Sequence, residues 1–372
     1  MTEASADLSG CAALAAEPGS RVYVRPAALV SAADDGPCSL PLAGGRLRFC
    51  LAEVIVRAGP RIARTVLPAA ALPAAAATTD AAFGARVDER LALVSGPRPD
   101  FAGVALDRPS IMAIVNVTPD SFSDGGDFAD PAAAVERLAA CREAGADVLD
   151  IGAESTRPFA PAVGEAEELA RLAPVFACLA TLRPGPVSVD TRRAGVMTAG
   201  LDAGATIIND VSALADDPQA LPVAAARGAA VVLMHRRGDA ATMQIDPRYD
   251  DVALDVFDHL EDRIAVCEAA GLPRARLLAD PGIGFGKTLE HNVALLRSLT
   301  LFHGLGCGLL LGVSRKGWLG RLTARVAPKE RMPGSVAAAF HAWSQGVQMV
   351  RAHDVAETAQ ARAVWEALNP TG

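Results

Sequence analysis

Residues that can do chemistry recur where short apolar runs end, between residues 110 and 354 of this 372-residue chain. A single Asp or Asn at such a point is more often the N-cap of the next helix than a functional group. Caps need no cations or histidines, however, so the whole set indicates a site for a polar heterocycle beside an anion such as phosphate. The residues are Asn116, Asp150, Asp190, Asn209, Asp210, His235, Asp280, Ser314, Arg315, Lys316, Arg351, His353 and Asp354.

The apolar runs alternate with amphipathic stretches after Ser110. Continuous apolar runs are typical of parallel strands that are covered on both faces. The stretches between them carry helix signals, such as Asp130 as an N-cap followed by Pro131. Eight such units predict an α/β protein with a (β/α)8 TIM barrel over residues 106–372, and a doubly wound open sheet is the alternative. In a barrel the carboxyl ends of the strands form one face, where the polar residues would converge.

Residues 1–105 differ from the rest of the chain. They include an Ala/Pro-rich stretch, VLPAAALPAAAATTDAA. Two possible strands, RVYVRPAALV and GRLRFCLAEVIVR, precede it, and a weak helical pattern lies in DAAFGARVDERLALV. No chemical motif is present in this region. We therefore expect either an N-terminal extension or a small accessory domain, of unknown role in both cases.

The composition limits the classes of partner. The net charge is −8, which gives no reason to expect nucleic acid, so local cations must hold any anionic substrate. The start, MTEASADLSG, is acidic and has no apolar core of a signal peptide, and no apolar run is long enough to span a bilayer. The seven cysteines show no metal-binding spacing. We expect a cytoplasmic protein with small-molecule substrates and without nucleic acid or membrane partners.

The stretch PGIGFGKT resembles a phosphate-binding loop but lacks one of its glycines. The phosphate-loop pattern needs glycine five residues before the Gly286-Lys287 pair, and Pro281 stands there. We therefore interpret the glycines differently. They would let the backbone of a loop after a strand approach a flat ligand closely.

Eight motifs over about residues 109–368 resemble, in order, those of dihydropteroate synthase, a folate-pathway enzyme family targeted by sulfonamides. They are NVTPDSFSDGG, DIGAESTRP, VSVDT, IINDVS, LMH, DPGIGFGK, GVSRK and VRAHDVAET. The resemblance implies a transferase that joins 6-hydroxymethyl-7,8-dihydropterin pyrophosphate to p-aminobenzoate, giving 7,8-dihydropteroate and pyrophosphate by a dissociative, SN1-like substitution. It also implies Mg²⁺ as the cofactor and a homodimer.

The resemblance further implies roles for individual residues. The pterin pocket would contain Asp190, Asn209, Met234, Asp280 and Lys316. The pyrophosphate would be held by Asn116, Thr156, Arg351 and His353, with Mg²⁺ at Asn116. The p-aminobenzoate site would be framed by Phe122, Thr156, Arg157, Pro158, Phe285, Ser314 and Lys316. The catalytic residues would be Asp124, Arg157, Asp190 and Lys316.

Two positions depart from the family pattern, since Ala153 and Phe159 stand where the family has glycine. We expect them to affect the second loop and inhibitor sensitivity more than activity. Two other functions stay open. A pterin-binding methyltransferase that acts with a corrinoid protein would share the barrel, but it needs no pyrophosphate site, so the SRK and RAHD motifs argue against it. A non-catalytic pterin-binding paralogue should have lost some of the polar residues, and all key positions are filled.

Overall fold

The computed structural model describes residues 7–34, 36, 39–117, 131–154, 163–182, 185–238, 242–325 and 327–371. The N-terminal part of these residues forms an antiparallel sheet with helices beside it. Its elements are α1 (Ser9–Ala15), β1 (Arg21–Ser31), β2 (Leu40–Pro41), β3 (Leu47–Ala58), β4 (Arg61–Pro68), α2 (Leu72–Thr79) and α3 (Ala81–Ser95). Strand β3 pairs with β1, β2 and β4. The division of the chain near residue 105 stays a prediction.

Local sequence explains the turn between α2 and α3. Asp80 accepts a hydrogen bond from the backbone N–H of Phe83 at 2.8 Å and so caps α3. Gly84 lets the two helices touch, because a Cβ there would lie 2.7 Å from the Cα of Ala77. The two possible strands and the helical pattern noted in the sequence correspond to β1, β3 and α3.

Eight parallel strands in the described part of the chain close into a barrel, which confirms the predicted fold. They are β5 (Ser110–Asn116), β6 (Val148–Gly152), β7 (Val187–Asp190), β8 (Ile207–Asp210), β9 (Ala230–Met234), β10 (Leu277–Asp280), β11 (Gly308–Gly312) and β12 (Met349–Ala352). The helices that follow them are α4 (Pro131–Glu143), α5 (Glu165–Leu182), α6 (Ala194–Asp202), α7 (Ala220–Arg227), α8 (Val252–Ala269), α9 (Leu289–Arg297), α10 (Gly317–Thr323), α11 (Met332–Ser344) and α12 (Val355–Leu368). Within the described ranges, none of the helices is both long and apolar enough to cross a membrane.

The linker between the two parts closes the amino-terminal end of the barrel. Phe101 and Val104 exchange backbone hydrogen bonds at 2.9 Å. Their side chains and that of Leu106 join a separate apolar cluster with residues from the first halves of the strands, among them Met112 and Ile207. Because this end is filled, the open face with room for a ligand is the carboxyl end.

The N-terminal sheet packs against α8. Tyr23 of β1 meets Phe257 edge-on, with ring centroids 5.2 Å apart. Around this contact, arginines of the N-terminal elements pair with acids that recur at helical spacing along α8. The arginines are Arg21, Arg57, Arg64 and Arg90, and the acids are Asp251, Asp255, Asp258, Glu261 and Asp262. One continuous apolar cluster includes residues of both parts of the chain.

Candidate active site

Arg351 links the carboxyl ends of three strands. It extends from β12, and its Nε donates to Oδ2 of Asp150 on β6 at 2.6 Å. Its Nη2 donates to Oδ2 of Asp190 on β7, also at 2.6 Å. Asn209 of β8 donates from Nδ2 to the same oxygen of Asp150 at 3.1 Å. Side chains that are up to 201 residues apart in sequence therefore form one network at the carboxyl face.

A glycine makes room for this network. Gly152 ends β6 in register with Asp190 of β7. A Cβ on Gly152 would lie 3.0 Å from the Cβ of Asp190, which is closer than side chains normally pack. The glycine therefore lets the two strand ends carry the Asp190 carboxylate inward without a clash.

Burial and charge act against each other in this network. Asp150 is fully buried and Asp190 is nearly so. Burial raises the pKa of Asp190, with the negative charge of Asp150 adding to the effect, whereas the guanidinium of Arg351 lowers it. Burial alone would lower the pKa of Arg351, but the two carboxylates raise it above its usual range, so the guanidinium stays charged. Oδ1 of Asp150 is buried without a hydrogen-bond partner among the described residues, and it can accept from a ligand or a water.

Asp280 and Lys316 form the opposite side of the site. Oδ1 of Asp280 accepts from the backbone N–H of Gly282 at 2.7 Å. A Cβ on Gly312 would lie 3.7 Å from Oδ2 of Asp280 and 3.6 Å from Nζ of Lys316, so both polar groups border the space beside this glycine. Burial lowers the pKa of Lys316 to about 8, although Asp280 pulls it upward. Burial therefore weakens the charged form of this amine, and the Asp280 carboxylate supports it.

The loop after β10 supports Lys316. Nζ of Lys316 donates to the carbonyl of Ile283 and lies 4.4 Å from the ring centroid of Phe285, a cation–π distance. Gly282 has φ +68°, and a Cβ there would lie 1.8 Å from the carbonyl oxygen of His235. Glycine is therefore needed at position 282 because the loop passes close to the backbone of His235. The sequence had suggested a close approach to a ligand instead.

The other predicted residues of the described part also lie at strand ends. Met234 ends β9 in register with Asp280, and its side chain is buried. Asn116 ends β5 opposite Gly152 and is half-buried. His353 follows β12, and its Nδ1 lies 3.0 Å from Oγ of Ser314, which also accepts the backbone N–H of His353 at 3.1 Å. His353, expected to bind pyrophosphate, and Ser314, expected to frame p-aminobenzoate, are therefore direct neighbours.

Phe122, Asp124, Thr156, Arg157 and Pro158 lie outside the described residues, so their roles stay predictions. The same holds for Phe159, whereas Ala153 is described and buried.

Two participants were not assigned roles from the sequence. Asp150 was counted in the polar set but was given no ligand, yet its carboxylate is the shared acceptor of Arg351 and Asn209. Lys287 was dismissed with the phosphate-loop motif, yet its Nζ lies 2.9 Å from Nδ1 of His235 behind the site. A signal was available for Asp150, since a charged residue inside an apolar run must have a partner.

Comparisons with known proteins cover the barrel. Residues 112–353 match the family described as pterin binding enzyme. The chain is 46% identical over 267 residues to the dihydropteroate synthase of Escherichia coli strain K12, with 71% of this chain and 94% of that protein covered. It is 47% identical over 270 residues to that of Neisseria meningitidis serogroup B strain MC58, with the same coverages. A solved structure of the Xanthomonas albilineans enzyme in complex with 7,8-dihydropteroate is 46% identical, with a TM-score of 0.67 and coverage of 74% of this chain and 100% of that one.

Proposed function

This chain belongs to the dihydropteroate synthases, a family of pterin-binding enzymes, and we propose from that premise how its site acts. The enzyme is a transferase of folate biosynthesis. It condenses 6-hydroxymethyl-7,8-dihydropterin pyrophosphate with p-aminobenzoate and releases 7,8-dihydropteroate and pyrophosphate. The observation that carries the assignment to these residues is the network in which Arg351 joins Asp150 and Asp190 at the carboxyl face of the barrel.

The pterin would occupy the space between Asp190, Asn209 and Asp280. An aminopyrimidinone ring has a donor edge, and carboxylate and amide oxygens are its natural acceptors. Lys316 would donate to the ring's own acceptors, and Met234 would pack on its face. Support comes from the buried positions of the two carboxylates and from Oδ2 of Asp280, which borders the open space beside Gly312.

The pyrophosphate would lie toward Asn116 and His353, with Thr156 contributing from outside the described residues. The guanidinium of Arg351 would contact the leaving group while it stays paired with the carboxylates of Asp150 and Asp190. No group of three or more His, Cys, Asp or Glu side chains that could hold a metal is present in the described residues. Mg²⁺ needs no such group, because it keeps several waters and takes oxygens from substrate phosphates. The amide oxygen of Asn116 would be its protein ligand. Bound Mg²⁺ would supply charge neutralisation of the leaving group.

The substitution would be dissociative. The bond between the exocyclic methylene carbon and the pyrophosphate oxygen breaks, and its electron pair leaves with pyrophosphate. The carboxylates of Asp190 and Asp280 would stabilise the delocalised cation that forms, together with Asp124. The p-aminobenzoate nitrogen then bonds to the methylene carbon and loses a proton. Its ring would lie against Phe285, Ser314 and the stem of Lys316, with Phe122, Arg157 and Pro158 completing that site.

The comparisons favour the synthase over the two other functions that the sequence left open. The relatives named above are dihydropteroate synthases and not methyltransferases. We also propose a cytoplasmic homodimer that sulfonamides inhibit. A structure of the Yersinia pestis dihydropteroate synthase with a sulfonamide drug complex supports the inhibitor, and the six free thiols among the described cysteines suit a reducing compartment.

Replacement of Lys316 by Ala tests the site assignment. The variant loses a half-buried ammonium beside Asp280, so kcat/KM for the pterin pyrophosphate should fall about 100-fold, as loss of a charged hydrogen bond does. The matched control is Lys329→Ala, which removes an exposed lysine of a 3₁₀ segment and should leave kcat/KM unchanged. Unchanged turnover in the Lys316 variant would remove this residue from the mechanism.

A further inference from the structure

The use of lysine in this chain is unusual. Only three of its 35 lysine and arginine residues are lysines. Lys329 is exposed, whereas Lys316 and Lys287 are the two that lie at the site. Apart from Lys329, every Lys/Arg position outside the site is an arginine, so a lysine inside the barrel points to a requirement that arginine does not meet. Arginine presents a broad planar fork, and lysine presents a compact ammonium with three donors.

Lys287 has the surroundings that such an ammonium needs. Its side chain is only 2% exposed. Nζ lies 2.9 Å from Nδ1 of His235, and it donates to the carbonyl of Phe285 at 3.0 Å and to that of His235 at 3.4 Å. The three N–H bonds of an ammonium thus meet three acceptors.

The neighbouring side chains hold the acceptors in place. The ring of His235 meets that of His259 on α8 edge-on, with centroids 4.9 Å apart. Burial lowers the pKa of His235 far below its ordinary value, and Lys287 adds to this, so the ring is neutral and can accept a hydrogen bond. Tyr249 donates to the carbonyl of Gly286 at 2.8 Å and fixes the loop next to Lys287. Burial also lowers the pKa of Lys287, and only the charge of Asp280 opposes it.

Lys287 is connected to the pterin side of the site through His235. The carbonyl oxygen that it holds is the one that approaches Gly282 so closely that no side chain fits between them. The backbone N–H of Gly282 in turn fixes Oδ1 of Asp280, and the N–H of His235 donates to the Asp280 carbonyl at 2.9 Å. Displacement of the His235 carbonyl would therefore move the carboxylate that faces the ligand space.

We infer that Lys287 is a positioning residue, which ties the loop after β9 to the loop after β10 and so holds the Asp280 carboxylate in place for the pterin ring. The inference rests on the proposed function, because it names Asp280 as a pterin acceptor. Lys287 itself touches neither substrate. Its effect should be larger on the pterin than on p-aminobenzoate, because the carbonyl of Phe285, at 3.0 Å, is its only contact with the residues that frame p-aminobenzoate.

Steady-state kinetics of the full-length Lys287→Met enzyme test this inference. Methionine has a similar length but no donor, so KM for the pterin pyrophosphate should rise at least about 10-fold, the effect of one lost hydrogen bond to a charged group. KM for p-aminobenzoate should rise less, because only the Phe285 carbonyl of that site is held by Lys287. Lys329→Met is the matched control and should change neither. An equal rise in both KM values, or an unchanged pterin KM in folded enzyme, would overturn the inference.

A spectroscopic measurement covers the case in which the variant does not fold. Lysine labelled with ¹³C at Cε gives only three signals in this chain. Spectra of the Lys316→Ala and Lys329→Met enzymes assign two, and the third is Lys287. The pterin pyrophosphate should shift the Lys287 signal of the parent enzyme, and p-aminobenzoate alone should shift it less. A Lys287 signal that ignores the pterin in catalytically active enzyme would refute the positioning role and leave the function intact, whereas inactive parent enzyme would refute the function itself.

Discussion

Replacement of Arg351 by Met removes the cation that links two buried carboxylates. Both of its N–O distances are 2.6 Å, and its side chain is 20% exposed while that of Asp150 is fully buried. Breaking a buried ion pair from one side destabilises a protein by about 3–5 kcal/mol, because the remaining charge is left uncompensated. The partial exposure of Arg351 favours the lower end, so we expect the free energy of unfolding to fall by about 3 kcal/mol.

The pKa of Asp190 determines how the stability loss of the Arg351→Met enzyme depends on pH. Its pKa is raised by burial, and loss of Arg351 raises it further. A carboxyl whose folded pKa exceeds its unfolded value stabilises the fold at low pH and loses that contribution as pH rises through the folded pKa. The difference in stability between parent and Arg351→Met enzyme should therefore be smaller at pH 5 than at pH 8.

Urea unfolding of the parent, Arg351→Met, Asp150→Asn and the double variant measures the effect. In the double variant the orphaned charge of Asp150 is gone, so its loss of stability should be about 2 kcal/mol smaller than the sum of the two single losses. Arg351→Lys should recover only part of the loss, since one ammonium cannot reproduce a fork that reaches two carboxylates. A loss below about 1 kcal/mol, or strict additivity, would refute the network as described.

Two further predictions concern folding. His303 is fully buried, and burial lowers its pKa to about 3. The free energy of unfolding should therefore fall as pH drops from about 7 toward 3. In urea unfolding at pH 4, the His303→Gln enzyme should be spared about 3 kcal/mol of that loss. Gly282→Ala should lower Tm and abolish pterin binding, because its Cβ would meet a carbonyl at 1.8 Å. Gly271→Ala, also at positive φ (+85°) but in open space, is the control and should cost only about 1 kcal/mol.

The barrel was predictable because its signal is local. A parallel strand covered on both faces must be a continuous apolar run, and the eight runs of the sequence correspond to the eight strands that close in the described part of the chain. The strands of the N-terminal sheet were visible for the same reason. The packing of this sheet against α8 was not predictable. It depends on ion pairs between arginines of separate elements and acids along α8, and a sequence pattern does not show which arginine meets which acid.

The site was predictable to the extent that strand ends determine it. Asp190, Asn209, Asp280 and Arg351 come together because each ends or nearly ends a barrel strand. Which side chain bonds to which depends on reach and rotamer, so the pairing of Arg351 with two carboxylates became visible only in three dimensions. The role of Lys287 was missed for a related reason. Its acceptors are mostly backbone carbonyls, and their positions cannot be inferred from residue types.

The most direct test of the central claim is the release of pyrophosphate by the full-length parent enzyme supplied with Mg²⁺ and the pterin pyrophosphate, with and without p-aminobenzoate. With both substrates, pyrophosphate and 7,8-dihydropteroate should appear in equal amounts. Omission of p-aminobenzoate should abolish dihydropteroate. Absence of pyrophosphate release with both substrates present would contradict the assignment of this site to dihydropteroate synthesis.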